Sequence, residues 1–126
     1  MTGGREKPEV EVPAGPSPTE LQVVDLEEGT GAAAKVGDVI TVHYVGAHHS
    51  SGGEFDASWG GQPFPVPLGQ GRVIKGWDQG LVGMKVGGRR QLVIPPDLAY
   101  EDRGTPDGTI KPGETLVFVV DLLAIG

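Results

Sequence analysis

Past residue 18 the apolar residues fall into short runs punctuated by glycine and proline. "ELQVVDLEEG" is an apolar run closed by a glycine turn, the texture of a strand. In "VITVHYVGAHH" β-branched and aromatic residues dominate, and a period of two puts Ile40, Val42 and Tyr44 on one face. Tyr44 is thus expected to point inward with the apolar set, and His43 away from it. "PFPVPLG" alternates Pro63, Pro65 and Pro67; proline donates no ladder hydrogen bond, so this strand belongs at a sheet edge or bulge. The preceding "SSGGEFDASWGGQ" reads as a glycine-rich connection. "RRQLVIPP" is a strand stopped by two prolines, and "TLVFVVDLLAIG" is a nearly continuous apolar strand, as expected at the centre of a sheet.

One segment has helical spacing. In "VIKGWDQGLVGMKVGG", Ile74, Trp77 and Leu81 recur at three and four, and Gly83 or Gly87 is placed to end a helix of two or three turns. "DLAYEDRGTPDGTIKPGE" is a long polar loop with a turn at Asp107 and Gly108. The pattern therefore predicts an α+β fold: five strands in a mostly antiparallel sheet, with one short helix laid on it.

Residues 1–18 differ in texture. Pro8, Pro13, Pro16 and Pro18 alternate with charges, which predicts a disordered or polyproline-like leader that adds little to the fold. Residues 19–126 are then one domain, a size that supports a single core. Gly (22) and Pro (11) are abundant enough to suggest disorder, but Leu, Ile, Val and Phe still supply about a quarter of the chain, and most glycines sit between apolar runs. The net charge of −7 disfavours nucleic acid and anionic membrane as partners. Lys85, Arg89 and Arg90 form the one basic cluster, which reads as a solvated strand face. No run suits a signal peptide or membrane span, so a soluble cytoplasmic monomer is expected. With no cysteine, disulfides, thiolate chemistry and Cys-ligated zinc are excluded.

The usual catalytic motifs are missing: no phosphate-binding glycine loop and no Gly-x-Ser-x-Gly elbow. His48 and His49 lie in a turn-prone loop without a carboxylate cluster, so loop surface is a better account of them than metal binding. What stands out is an aromatic set on separate elements: Tyr44, Phe55, Phe64, Trp77, Tyr100 and Phe118, with Trp59 beside them. Trp77, flanked by glycines and charges, is either the keystone of the core or the floor of a binding site.

"VHYVG", "FDASW", "PFPVPLG", "VIKGWDQGL", "IPPDLAY" and "TLVFVVDLL", in this order and spacing from about Leu21 to Leu123, closely resemble the FKBP-type peptidyl-prolyl cis/trans isomerases of the bacterial single-domain kind. The resemblance implies a curved five-stranded antiparallel sheet wrapped around one short helix, in agreement with the pattern above. It implies a pocket with Trp77 as its floor, with Tyr44, Phe55, Phe64, Val73, Ile74 and Phe118 as walls and Asp56 at the rim beside Tyr44. Tyr100 would offer its hydroxyl to a substrate carbonyl, and Ile110, or else Thr109, would be the pocket-facing residue of the long loop. Tyr44, Phe55, Asp56, Trp77 and Tyr100 are the residues to which catalysis would fall.

The implied reaction is rotation about X-Pro bonds in folding polypeptides, with no metal and no cofactor. The implied alternative is a module that binds macrolides or proline-containing segments with little turnover. Two departures bear on the site. Family members often have an arginine soon after the Phe-Asp pair, where this chain has "ASWGGQ"; and they usually have glycine after the tyrosine, where this chain has Glu101.

Overall fold

The computed structural model describes residues 6–13, 15–101 and 103–126. Its elements in chain order are β1 (Gln22–Glu27), β2 (Val39–His48), β3 (Glu54–Ala57), β4 (Phe64–Pro67), α1 (Lys75–Gly80), β5 (Arg89–Ile94) and β6 (Leu116–Ile125), with a 3-10 turn at Pro96–Leu98. All strands pair antiparallel in one sheet, in the order β1, β5, β6, β2, β3, with β4 also on β2. β6 lies between β5 and β2, the central place its unbroken apolar run predicts.

The sheet has one strand more than the pattern of hydrophobicity suggests, yet only five positions across. β4 pairs with Val39–Val42 and β3 with Val45–Ala47, so two short strands share one edge of β2. β3 is four residues long with a single large apolar side chain, Phe55, which is why it reads as part of a connection. Pro65 and Pro67 of "PFPVPLG" sit on that edge, where a missing N–H is tolerated, and Pro63 leads into it. Register shifts between Thr41 and Val42, and between Gly46 and Ala47, bend β2 and curl the sheet.

The concave face holds the core. Ile40, Val42, Leu92, Ile94, Leu116, Phe118, Val120 and Leu122 project from the strands onto Trp77, Leu81 and Met84. A six-residue helix is unstable alone, so α1 exists through these contacts. It approaches β5 closely: a Cβ on Gly76 would lie 2.5 Å from Ile94 Cγ2. α1 ends at Gly80 with Leu81 as its cap, before Gly83, whose positive φ turns the chain away.

Here the basic cluster departs from a solvated face. Successive residues of a strand point oppositely, so Arg90 enters the core side while Arg89 does not. Arg90 Nη1 donates to the carbonyls of Gly80 (2.9 Å) and Val82 (3.2 Å), satisfying the C-terminal end of α1, and Nε donates to Asp25 (2.7 Å). Arg89 makes a two-pronged bond to the buried Asp121 at 2.7 and 2.9 Å on the outer face. Lys85 alone stays exposed, 3.2 Å from Glu28.

The outer face is also apolar: Val45, Ala47, Val93, Val117 and Val119 are buried there, outside the core that surrounds α1. His43 lies on this face, as the period of two predicts, with Nδ1 2.8 Å from Ser58 Oγ and its ring stacked on Trp59. Residues 6–13 lie against the same face. Arg89 donates to the carbonyl of Glu6 at 3.1 Å, and Lys7 Nζ sits 2.7 Å from Glu54. The leader thus has side-chain and backbone partners that its composition does not announce.

Candidate active site

The sequence brings the aromatic residues to one place by different routes. Tyr44 arrives by alternation along β2, Phe55 and Asp56 by the edge strand β3, and Phe64 by β4. Val73, Ile74 and Trp77 come from the entry and first turn of α1, Phe118 from the middle of β6, and Tyr100 from the loop after the 3-10 turn. Together with Arg72, these residues line a cavity of about 280 Å³.

The walls interlock edge to face. Trp77 meets Tyr44 at 5.0 Å between ring centroids, Phe118 at 5.3 Å and Phe64 at 6.2 Å, with planes 76–85° apart. Phe55 meets Phe118 at 5.6 Å and 87°. In this geometry the positive edge of one ring addresses the negative face of the next. Gly46 makes the Phe55–Phe118 contact possible, because a Cβ there would lie 2.7 Å from Phe118 and 2.8 Å from Phe55.

Trp77 turns out to be both things its sequence context allows. Only 4 % of it is exposed and it belongs to the core cluster, yet its ring also floors the cavity. Its Nε1–H is buried without a hydrogen-bond partner among the described residues, a penalty of about 1–3 kcal/mol that an apolar side chain would not carry.

The polar groups gather at the rim. Tyr44 Oη donates to Asp56 Oδ2 at 2.7 Å. Burial first, then the hydrogen bond and charge of Asp56, hold the Tyr44 phenol far above the usual tyrosine range. Tyr100 is raised by burial and then by the Asp56 charge. Both phenols are therefore protonated donors throughout the neutral range. Ser58 Oγ accepts from the Tyr44 backbone N–H at 2.7 Å and braces this strand from the side of His43.

Two turns fix the cavity's flanks. Asp78 accepts from the N–H groups of Gly69 (2.8 Å) and Gly71 (3.0 Å), folding the β4–α1 turn onto the first turn of the helix. Glu101 takes a left-handed backbone, φ 54°, the conformation a glycine would adopt without strain. Its N–H donates to Pro96 O at 2.7 Å and its carbonyl accepts from Gly113 at 2.8 Å, so the turn that carries Tyr100 closes despite the larger residue.

Of the pocket residues named from sequence, all but Ile110 and its alternative Thr109 line this one cavity. Ile110 is buried in the core and lines an adjoining hollow with Thr109, Phe55, Asp56 and Tyr100. Arg72 was missed; its only signal is its place beside Val73 in "GRVIKGW". His48 and His49 have separate partners: His48 Nδ1 pairs with Glu114 at 2.5 Å and its ring packs on Phe55, while His49 Nδ1 lies 3.4 Å from Ser17 Oγ. Among the described residues no three ligand-type side chains converge.

A family profile described as FKBP-type peptidyl-prolyl cis-trans isomerase matches residues 31–123. The chain belongs to that family. It is 57% identical over 121 residues to an FK506-binding protein of Streptomyces anulatus, covering 95% of this chain and 98% of that protein. It is 48% identical over 120 residues to a probable FK506-binding protein of Corynebacterium glutamicum, covering 94% and 98%. Both matches leave out only a handful of residues of this chain, so they run into the leader, which the family profile does not cover. Among solved structures it is similar to AtFKBP13 (TM-score 0.78, 40% identity, 87% of this chain and 96% of that one) and to FkpA from Escherichia coli (0.75, 42%, 85% and 48%). Membership in the FKBP family supports a role as a peptidyl-prolyl isomerase or an FK506-binding protein.

Proposed function

We propose that this chain accelerates cis/trans rotation of X-Pro bonds in folding polypeptides, using a dry aromatic pocket and directed hydrogen bonds. The observation that carries the reading is the cavity itself: a tryptophan floor, aromatic walls, and two protonated phenols with one carboxylate at the mouth.

The barrier to rotation is about 18–20 kcal/mol, because resonance holds the amide planar. In the twisted transition state the nitrogen lone pair is uncoupled from the carbonyl, and the amide is less dipolar than in its ground state. Apolar walls disfavour the planar form more than the twisted one, which is the differential binding that catalysis needs. A proline ring over Trp77 leaves the preceding carbonyl at the rim, within reach of the Tyr100 hydroxyl, while the Asp56 carboxylate biases the local field. Lowering the barrier by about 5–7 kcal/mol accelerates rotation roughly ten-thousandfold or more.

Exchange spectroscopy on a short Leu-Pro peptide tests the reading. At tens of micromolar protein the cis and trans resonances are expected to exchange well above the uncatalysed rate, which is one event in tens to hundreds of seconds. Uncatalysed exchange in the presence of folded protein would refute it.

A second reading is favoured by the printed names of the relatives, which describe FK506-binding proteins. On it the same pocket holds a macrolide or a proline-containing segment without useful turnover. Saturable quenching of Trp77 fluorescence by FK506, with no acceleration of the peptide, would select it.

A further inference from the structure

Apart from Asp121, the central strand β6 is apolar on both faces, so the sheet has two faces to cover and, among the described residues, one α-helix to cover them with. α1 covers the concave side. On the outer side Val45, Val117 and Val119 are each no more than 1% exposed. An antiparallel sheet with one solvated face would carry polar residues there.

The leader supplies the cover. Pro8, Val10 and Val12 are half-buried, while Lys7, Glu9, Glu11 and Pro13 between them are exposed, the alternation of an extended segment with one side down. It crosses the strands without joining their ladder, so its prolines forfeit no sheet hydrogen bond. Its track is marked by partners. Glu6 O accepts from Arg89 on β5, and Glu11 O lies 3.5 Å from Gln91 Nε2 on the same strand. Lys7 and Val10 line a cleft with Ala47, Gly52 and Glu54. Val12 Cγ2 is 3.9 Å from the position a Cβ would take on Gly52.

The contacts of Lys7, Val10 and Val12 fall on the hairpin that joins β2 to β3. That hairpin's far strand carries Phe55 and Asp56, a wall and a rim group of the cavity. We propose that residues 6–13 form an intramolecular strap whose apolar side seals the outer face of the sheet and clamps the β2–β3 hairpin, holding Phe55 and Asp56 in the pocket. The clamping of the pocket rests on the isomerase reading above; the sealing does not.

The test uses the full chain with Val10→Asp and Val12→Asp together, against Glu9→Ala and Glu11→Ala on the exposed side. The valine pair is expected to lower the melting temperature by about 5 °C or more. It should also speed amide exchange about tenfold at Gly52 and His48, whose N–H groups close the hairpin. Isomerase kcat/KM, measured well below melting, should fall at least threefold, and Val10→Leu should retain all three properties. A melting temperature within 1 °C of the parent with unchanged exchange overturns the strap, as does equal damage from the glutamate pair. Lost stability with unchanged kcat/KM overturns the clamp. If the parent chain shows no isomerase activity, the isomerase reading fails, while melting and exchange still decide the strap.

Discussion

The Tyr44 hydroxyl donates to Asp56 Oδ2 across 2.7 Å, joining the inward face of β2 to the edge strand β3 at the mouth of the cavity. The bond aims an exposed carboxylate at the rim. Tyr44→Phe should therefore lower kcat/KM about three- to tenfold, the equivalent of about 0.7–1.4 kcal/mol, while changing stability by less than about 1 kcal/mol. Asp56→Ala should lower it by at least as much. Peptide kinetics with urea midpoints on both variants and the double variant check this; additive losses would show that the hydroxyl and carboxylate act separately.

Catalysis should be flat between roughly pH 6 and 8.5, because the raised phenols of Tyr44 and Tyr100 stay protonated there and no step of the reaction moves a proton. The sign for stability follows from the same shift. A tyrosine raised on folding contributes stability that is complete below its unfolded value of about 10 and is lost as pH rises beyond it, so thermal stability should begin to fall only above about pH 10. A specificity constant measured at constant ionic strength checks the first part. A single step inside that window would sink the proton-free reading and turn attention to the contact by which Ser58 Oγ links the His43 ring to the Tyr44 backbone.

Trp77→Leu should affect both stability and binding. Loss of most of the indole from a core cluster is expected to destabilise by about 2–4 kcal/mol. Release of the unpartnered Nε1–H returns part of this, leaving a folded domain destabilised by about 1–3 kcal/mol. Denaturant midpoints give the first quantity and ligand titration the second. Unchanged stability would mean that the indole serves the cavity alone.

Glu101→Gly should stabilise the chain by up to about 1 kcal/mol, or raise the melting temperature by about 3–6 °C, because it relieves a left-handed backbone in a residue with a Cβ. Kinetics should change little, since the turn already closes through Pro96 and Gly113. A melting curve on the single variant is sufficient, and a lower melting temperature would show that the Glu101 side chain contributes more than the strain removes.

The sequence by itself determined the sheet, the helix and most of the pocket. The period of two along β2 settles that Tyr44 and His43 part company, the unbroken apolar run of β6 puts it at the centre, and three alternating prolines put β4 at an edge. These are local rules, and nothing elsewhere in the chain overrides them. The cavity residues were reached differently, through the family resemblance that six short motifs carry, not through a local rule. Tertiary structure decided the rest. β3 has too few apolar residues to announce itself and exists because β2 offers it an open edge. Arg90 looks like surface until the curl of the sheet places the end of α1 above it. Trp77 could not be assigned to core or site because burial is a property of the assembled shell, and it serves both. The leader is the clearest case: Pro8, Val10 and Val12 alternate with charges in the sequence, but the run is too short and too rich in proline to declare a structure. Only the outer face of the folded sheet, with its valines brought together, gives that alternation something to rest on.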